Sequence, residues 1–289
     1  MKLNPEHLTA NYLETGSLDA KTIKTFQQGI LGHFHANPRP MPWRETRDPY
    51  HILVSEIMLQ QTQVERVKSK YAKFLAAFPT LADLAVAPLP VVLRVWQGLG
   101  YNRRAIALKR CAEEIVNRYG GRFPTGVEEL LSLPGIGPYT ARAVASFAFG
   151  GAMPFIETNI RTVFIHCFFH GRDRVADREI MPLVAATLDS ANPREWYYAL
   201  MDYGVWLKQQ HPNPSRRSAH HSRQSPFKGS NRELRSRMLR AIMDQARLTA
   251  KALMALLGAE PEQIGRNLEA LEREGFIKRR GNNYTIKEH

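Results

Sequence analysis

Glu56 lies in the run His51-Ile52-Leu53-Val54-Ser55-Glu56-Ile57-Met58-Leu59-Gln60-Gln61-Thr62-Gln63. Its spacing to Gln60 and Gln63 is i, i+4, i+7, which on a helix puts all three on one face. Leu53, Ile57 and Met58 fall on the opposite side. A carboxyl close to apolar side chains has its charged form disfavoured, which suits it to donate a proton as a general acid. Read without other information, the same pattern fits better with an ordinary glutamate on the wet side of an amphipathic helix.

A second chemically suggestive stretch is Leu133-Pro134-Gly135-Ile136-Gly137-Pro138-Tyr139-Thr140-Ala141. Gly135 and Gly137, two apart, permit a tight hairpin with exposed amides. The helix that follows presents its N-terminus, and such a turn can hold a phosphate through backbone N–H groups and the helix dipole. Two spaced glycines alone usually mark only a turn. Set between two helices in a basic protein, they match a helix-hairpin-helix that grips a DNA backbone.

The elements that must position these residues are mostly helical. Apolar periodicity predicts helices over 20–36, 50–62, 64–77, 88–97, 103–119, 126–132, 139–149, 157–169, 178–189 and 194–208. Pro38, Pro40 and Pro42 stop the first of these. Residues 209–230 are polar and aperiodic and read as a basic linker. Residues 231–289 read as a small second domain. It has three helical stripes, then Phe276–Arg280 and Tyr284–Ile286 flanking Gly281-Asn282-Asn283, a hairpin pattern. Three helices and a basic hairpin look like a winged helix, and the basic hairpin favours DNA contact.

The chain has 289 residues, enough for roughly two domains and a sizeable core. At 44% hydrophobic and 23% charged, its composition is that of a soluble globular protein. Neither a membrane span nor a secretory leader is expected. Two cysteines, Cys111 and Cys167, make no disulfide framework and fit a reducing cytoplasm. The formal net charge is +13, and nine lysines and arginines against one acidic residue fall within 208–240. This concentration points to a polyanion, most simply nucleic acid, although a solvated basic linker would have the same composition.

Taken in order, Pro42-Trp43-Arg44, Asp48-Pro49-Tyr50, Ser55–Val64, Trp96-Gln97-Gly98-Leu99-Gly100-Tyr101 and the Leu133–Tyr139 hairpin resemble the MutY adenine DNA glycosylases. These belong to the helix-hairpin-helix superfamily shared with endonuclease III. The resemblance runs from about residue 22 to 207, and it implies a mainly α glycosylase fold acting on duplex DNA. It also implies a flipped adenine, protonated at N7 by Glu56, and an oxocarbenium-like sugar stabilised by a second carboxylate. Tyr139 matches a tyrosine of MutY-like sites. Endonuclease III has a Schiff-base lysine there, so this chain is expected to be monofunctional and to leave an abasic site. Gln60, Gln61 and Tyr101 match residues that fill or wedge the base stack. Gly135 and Gly137 match the backbone anchor, and Arg216 and Arg217 stand where a cluster loop would meet phosphate.

The chain departs from the family in several places. The family's Asp-Gly-Asn-Val is replaced by Glu157-Thr158-Asn159-Ile160, so Glu157 carries the second carboxylate one methylene further out, and Asn159 is retained. Four cluster cysteines are missing after 194–208. His211, His220 and His221 lack acidic or thiol partners nearby, so neither a cofactor nor a metal is expected. The MutT-like C-terminal domain is replaced by 231–289, and Asn102 replaces a common tyrosine. The expectation is therefore a cluster-free, monomeric, cytoplasmic glycosylase that removes adenine or an adenine-derived base from duplex DNA, as in base excision repair. A glycosylase for hypoxanthine, N6-methyladenine or a mismatched pyrimidine, and a non-catalytic DNA-binding relative, remain as alternatives.

Overall fold

The computed structural model describes residues 3–222 and 226–288. They form two compact units. One takes in residues 3–52, 125–131 and 136–222, the other residues 53–124, 132–135 and 226–288.

The first unit holds α1 (Pro5–Thr15), α2 (Ala20–Ala36) and the opening residues of α3 (Pro49–Leu59). With it belong α8 (Val127–Leu131), α9 (Pro138–Phe149), α10 (Thr158–Phe168), α11 (Asp177–Ala186) and α12 (Pro193–Gln210). Helix α10 is central, packed by α1, α11 and α12. Phe26 of α2 meets Phe164 and Phe168 of α10 and Trp196 of α12, with ring centroids 5.0–5.9 Å apart. All four rings are fully buried, which makes this cluster the apolar anchor of the unit. Gly204 lets α12 approach closely, because a Cβ there would lie 2.4 Å from the Asn159 carbonyl oxygen.

The second unit begins with the rest of α3, then α4 (Val64–Ala77), α5 (Leu81–Val86), α6 (Leu89–Trp96) and α7 (Arg103–Tyr119). Helix α7 packs on α5 and α6. After it come α13 (Asn231–Gln245), β1 (Leu248–Thr249), α14 (Ala250–Leu257), α15 (Pro261–Arg273), β2 (Ile277–Arg280) and β3 (Asn283–Ile286). The sheet is antiparallel in the order β1-β3-β2, with Ile277 opposite Ile286 and Arg280 opposite Asn283. These are the three helices and the hairpin expected from the sequence. The two-residue β1, which pairs with β3, is an addition.

Three differences from the sequence reading have clear physical reasons. Helix α1 is signalled by Asn4, whose side chain accepts from the His7 amide, and by Pro5 in its first turn. It is too short and polar for apolar periodicity to reveal. Helix α5 has six residues and is fixed by a reciprocal Thr80–Asp83 capping box. Helix α3 ends at Leu59 instead of 62, and every residue from Ile52 to Met58 is buried. It therefore has no wet face along that stretch. Among the described residues, no helix is long and apolar enough to cross a membrane.

Candidate active site

Glu56 sits one turn before the end of α3 and is 4% exposed. Neighbouring Ser55 is likewise buried. Leu53, Val54, Ile57 and Met58 of the same helix are buried with it. The shared helical face of Glu56, Gln60 and Gln63 does not form. Gln60 follows the helix end, and Gln63 is the N-cap of α4.

The chain turns sharply after Gln60. Gln61 is exposed and has φ +54°, and Tyr101 has φ +47°. Both lie in the left-handed region that non-glycine residues avoid. Arg104, absent from the sequence-level candidates, ties the two turns together. Its guanidinium donates to the carbonyls of Ile57 and Met58, both at 2.9 Å, and to that of Gln60. It also donates to Leu99 and Gly100 at 3.1 and 3.2 Å and to the Thr62 hydroxyl at 3.0 Å. The guanidinium lies 5.5 Å from the Trp96 ring and 5.4 Å from that of Tyr101. Burial lowers its pKa to about 10, so it is still a cation at neutral pH. The sequence signal was an arginine three residues after Tyr101 at the start of α7, but charge counting cannot separate an inward arginine from an outward one.

In the first unit, Glu157 is the N-cap of α10. Its carboxylate accepts from the amides of Asn159 and Ile160 at 2.6 and 3.0 Å and from Asn159 Nδ2 at 3.2 Å. Asn159 Oδ1 in turn accepts from Lys208 Nζ at 2.6 Å. Asn159 thus links a carboxylate to an ammonium. Loss of hydration raises the Glu157 pKa above the ordinary carboxylate range, despite the two amides and the nearby Lys208 charge. The Lys208 pKa is lowered by the same loss of water. Lys208 was also absent from the sequence-level candidates. It falls one turn after Gly204, where α12 comes closest to Asn159. Tyr139, in the first turn of α9, stands edge-on to Phe155 at 5.7 Å, two residues before Glu157.

The hairpin between α8 and α9 has buried Leu133 and Ile136 as its apolar feet. Gly135 has φ +76°, and a Cβ there would come 2.4 Å from the Ala107 Cβ. Gly137 caps α9 with no side-chain acceptor, and the space around its Cα is open. The backbone therefore demands glycine at Gly135 and leaves access at Gly137.

Comparison with known proteins then sets the family. Residues 54–185 match the profile of the HhH-GPD superfamily base excision DNA repair proteins. An adenine DNA glycosylase of Mycolicibacterium smegmatis is 33% identical over 86% of this chain and 91% of its own length. The chain is a MutY-like member of the HhH-GPD superfamily. The human adenine DNA glycosylase is 35% identical over 65% of the chain, which spans only 36% of that longer protein. Among solved structures, a thermostable thymine-DNA glycosylase aligns with TM-score 0.57 and 30% identity, over 65% of this chain and 88% of its own.

Most of the MutY family holds an iron–sulfur cluster, and the residues of this MutY-like chain do not fit one. Its two cysteines lie on α7 and α10, each fully buried. Burial pushes the Cys111 thiol up to about 12 and raises that of Cys167 as well. Neither is available as a thiolate ligand. Among the described residues, no group of three or more histidines, cysteines and carboxylates is placed to hold a metal ion. Where the cluster loop would stand, Pro214–Arg217 forms a 3-10 turn with Pro214 and Ser215 buried, and Ser218 bridges to Val175. Arg216 is exposed. Arg217 turns inward, donating to the carbonyls of Phe169 at 2.8 Å and of Ile165 and Arg172 at 3.3 Å. It closes the C-terminal end of α10.

Proposed function

We propose that this chain is a monofunctional DNA glycosylase that hydrolyses the N-glycosidic bond of adenine in duplex DNA. The observation that carries the reading is the buried Glu56 carboxyl at the family's acid position, in a chain 33% identical along most of its length to an adenine DNA glycosylase. Glu56 gives its proton to N7 of the flipped adenine. The C1′–N9 bond then breaks with its electron pair leaving on the base. Glu157 faces the positive charge left on the sugar, water adds its oxygen to C1′ and returns a proton to the Glu56 carboxylate, and the products are free adenine and an abasic site. Asn159 and Lys208 hold the Glu157 carboxylate in place.

Tyr139 in place of a lysine supports hydrolysis without strand cleavage. Gln60, Gln61 and Tyr101 meet the DNA stack, Gly135 and Gly137 meet phosphate, and exposed Arg216 adds a phosphate contact. The inward guanidinium of Arg217 favours a structural role for that residue instead. Two buried thiols and no expected disulfide favour a reducing cytoplasm, and we take the working form to be a monomer.

The test is base release followed by alkaline cleavage. Substrates are duplexes with A opposite 8-oxoguanine, G or T, alongside hypoxanthine, N6-methyladenine and T opposite G. Adenine release that Glu56→Gln lowers at least about a hundredfold, with duplex binding retained, is the expected result. Release from T:G alone, or equal activity in the variant, overturns the assignment.

A further inference from the structure

The segment after residue 225 reaches the Tyr101 turn, and Arg232 is the residue it delivers there. Arg232, in the first turn of α13, donates from Nη1 to the Tyr101 hydroxyl at 2.6 Å, with its guanidinium 5.7 Å from the ring centre. Tyr101 is thus bound by two cations, Arg104 at its backbone turn and Arg232 at its hydroxyl. A left-handed tyrosine is strained and persists only where its surroundings over-determine it.

Helix α13, which carries Arg232, is held in several places. Ser230 caps α13. Glu274, just past α15, accepts from Arg103 at 2.7 and 2.5 Å and from Arg235 at 2.6 Å, so one carboxylate joins the start of α7 to α13. These arginines hold the Glu274 pKa below the usual carboxylate range. Further along, Arg94 donates to the Met243 carbonyl at 3.3 Å and pairs with Asp244 at 3.9 Å.

We propose that Arg232 is a positioning residue for the wedge. Docked through Glu274, α13 presents its guanidinium to the Tyr101 hydroxyl and fixes the ring in the pose that enters the base stack. This rests on the glycosylase reading of Tyr101. It gives the C-terminal segment a part in base extrusion that does not require reading the opposing base.

The experiment uses the full chain and an A:8-oxoguanine duplex with 2-aminopurine beside the adenine, whose fluorescence reports unstacking. Arg232→Ala is expected to slow the unstacking phase and single-turnover release about tenfold, the effect of losing one charge-assisted hydrogen bond. Affinity for a duplex already containing an abasic site should stay within about twofold. Arg232→Lys should recover part of the loss. Tyr101→Phe should show the same defect, and the double variant no more than either single one, since both remove one contact. Glu274→Gln, which loosens the docking without touching Tyr101, should give a milder form.

If wild type releases adenine while Arg232→Ala unstacks DNA as wild type does, the positioning role is wrong and the enzyme assignment stands. Faster release in Arg232→Ala also overturns the proposal, since the contact would then restrain the wedge. If wild type releases no base from any duplex, the glycosylase reading fails first. Loss of melting temperature in Arg232→Ala would move the decision to the Glu274→Gln and Tyr101→Phe variants, where unchanged unstacking in both counts against the proposal.

Discussion

At the residue scale, Glu157 carries its carboxylate at the N-cap of α10. A glutamate at the N-cap has the reach to fold back over the first turn, and it accepts from two amides and from Asn159. Loss of hydration still raises its pKa. If the ionised form stabilises the sugar cation, the rate should fall as pH drops through that raised pKa, at a pH above the usual carboxylate range. Lys208 opposes the rise by its charge. Lys208→Met should therefore move the acidic limb of the single-turnover pH profile to still higher pH, while Glu157→Gln should lower the plateau about a hundredfold and abolish that limb. A limb that stays put in Lys208→Met would show that Glu157 does not set it. Glu56, Glu157 and Asn159 stood out as candidates in the sequence through the resemblance of their motifs to the MutY family. Lys208 and Arg104 escaped notice because a lysine at a helix end and an arginine at a helix start have ordinary surface uses. Their value comes from neighbours 49 and 44–47 residues away.

At the scale of elements, the Glu157 arrangement depends on how closely α12 lies against the start of α10. Gly204 sets that distance, and a methyl group there would meet backbone at 2.4 Å, which cannot swing aside. Gly204→Ala should cost about 1–3 kcal/mol by overpacking, read as a lower denaturation midpoint. It should also weaken catalysis by pulling Lys208 away from Asn159. A stability loss without any rate change would separate the helix spacing from the chemistry. The other end of α10 depends on Arg217, whose guanidinium serves three carbonyls. Arg217→Ala should destabilise by about 1–3 kcal/mol, because acceptors lose their donor in partly buried surroundings. Arg216→Ala, at an exposed neighbour, should leave stability unchanged within about 0.5 kcal/mol. Equal melting temperatures for the two variants would refute this division. Helix positions were largely legible from periodicity, as α2, α4 and α7 illustrate. Ends were less so, because the Leu59 stop and the inward turn of Arg217 are set by tertiary partners, which periodicity does not encode.

Across the whole molecule, the basic excess invites an overestimate of DNA contact. Nine lysines and arginines fall within 208–240. Among the described residues five of them are engaged internally: Lys208 with Asn159, Arg217 with carbonyls, Arg232 with Tyr101, Arg235 with Glu274 and Arg237 with the Leu257 carbonyl. A polyanion surface read from composition therefore counts charges that the fold has already directed inward. Arg216, Lys228 and Arg240 are exposed and are the better candidates for phosphate. Each phosphate contact contributes about 0.9 to the slope of log affinity against log salt for duplex DNA. Replacing these three together by glutamine should reduce that slope by about 2.7 and weaken binding in the same proportion on every duplex sequence. Arg235→Gln should leave the slope unchanged, because its charge is spent on Glu274. Fluorescence anisotropy with a duplex lacking any target base, across a salt series, measures both. A slope that ignores the triple replacement would place the phosphate contacts elsewhere, with the Gly135–Gly137 hairpin as the first alternative, since amides at a helix N-terminus bind phosphate without a formal charge.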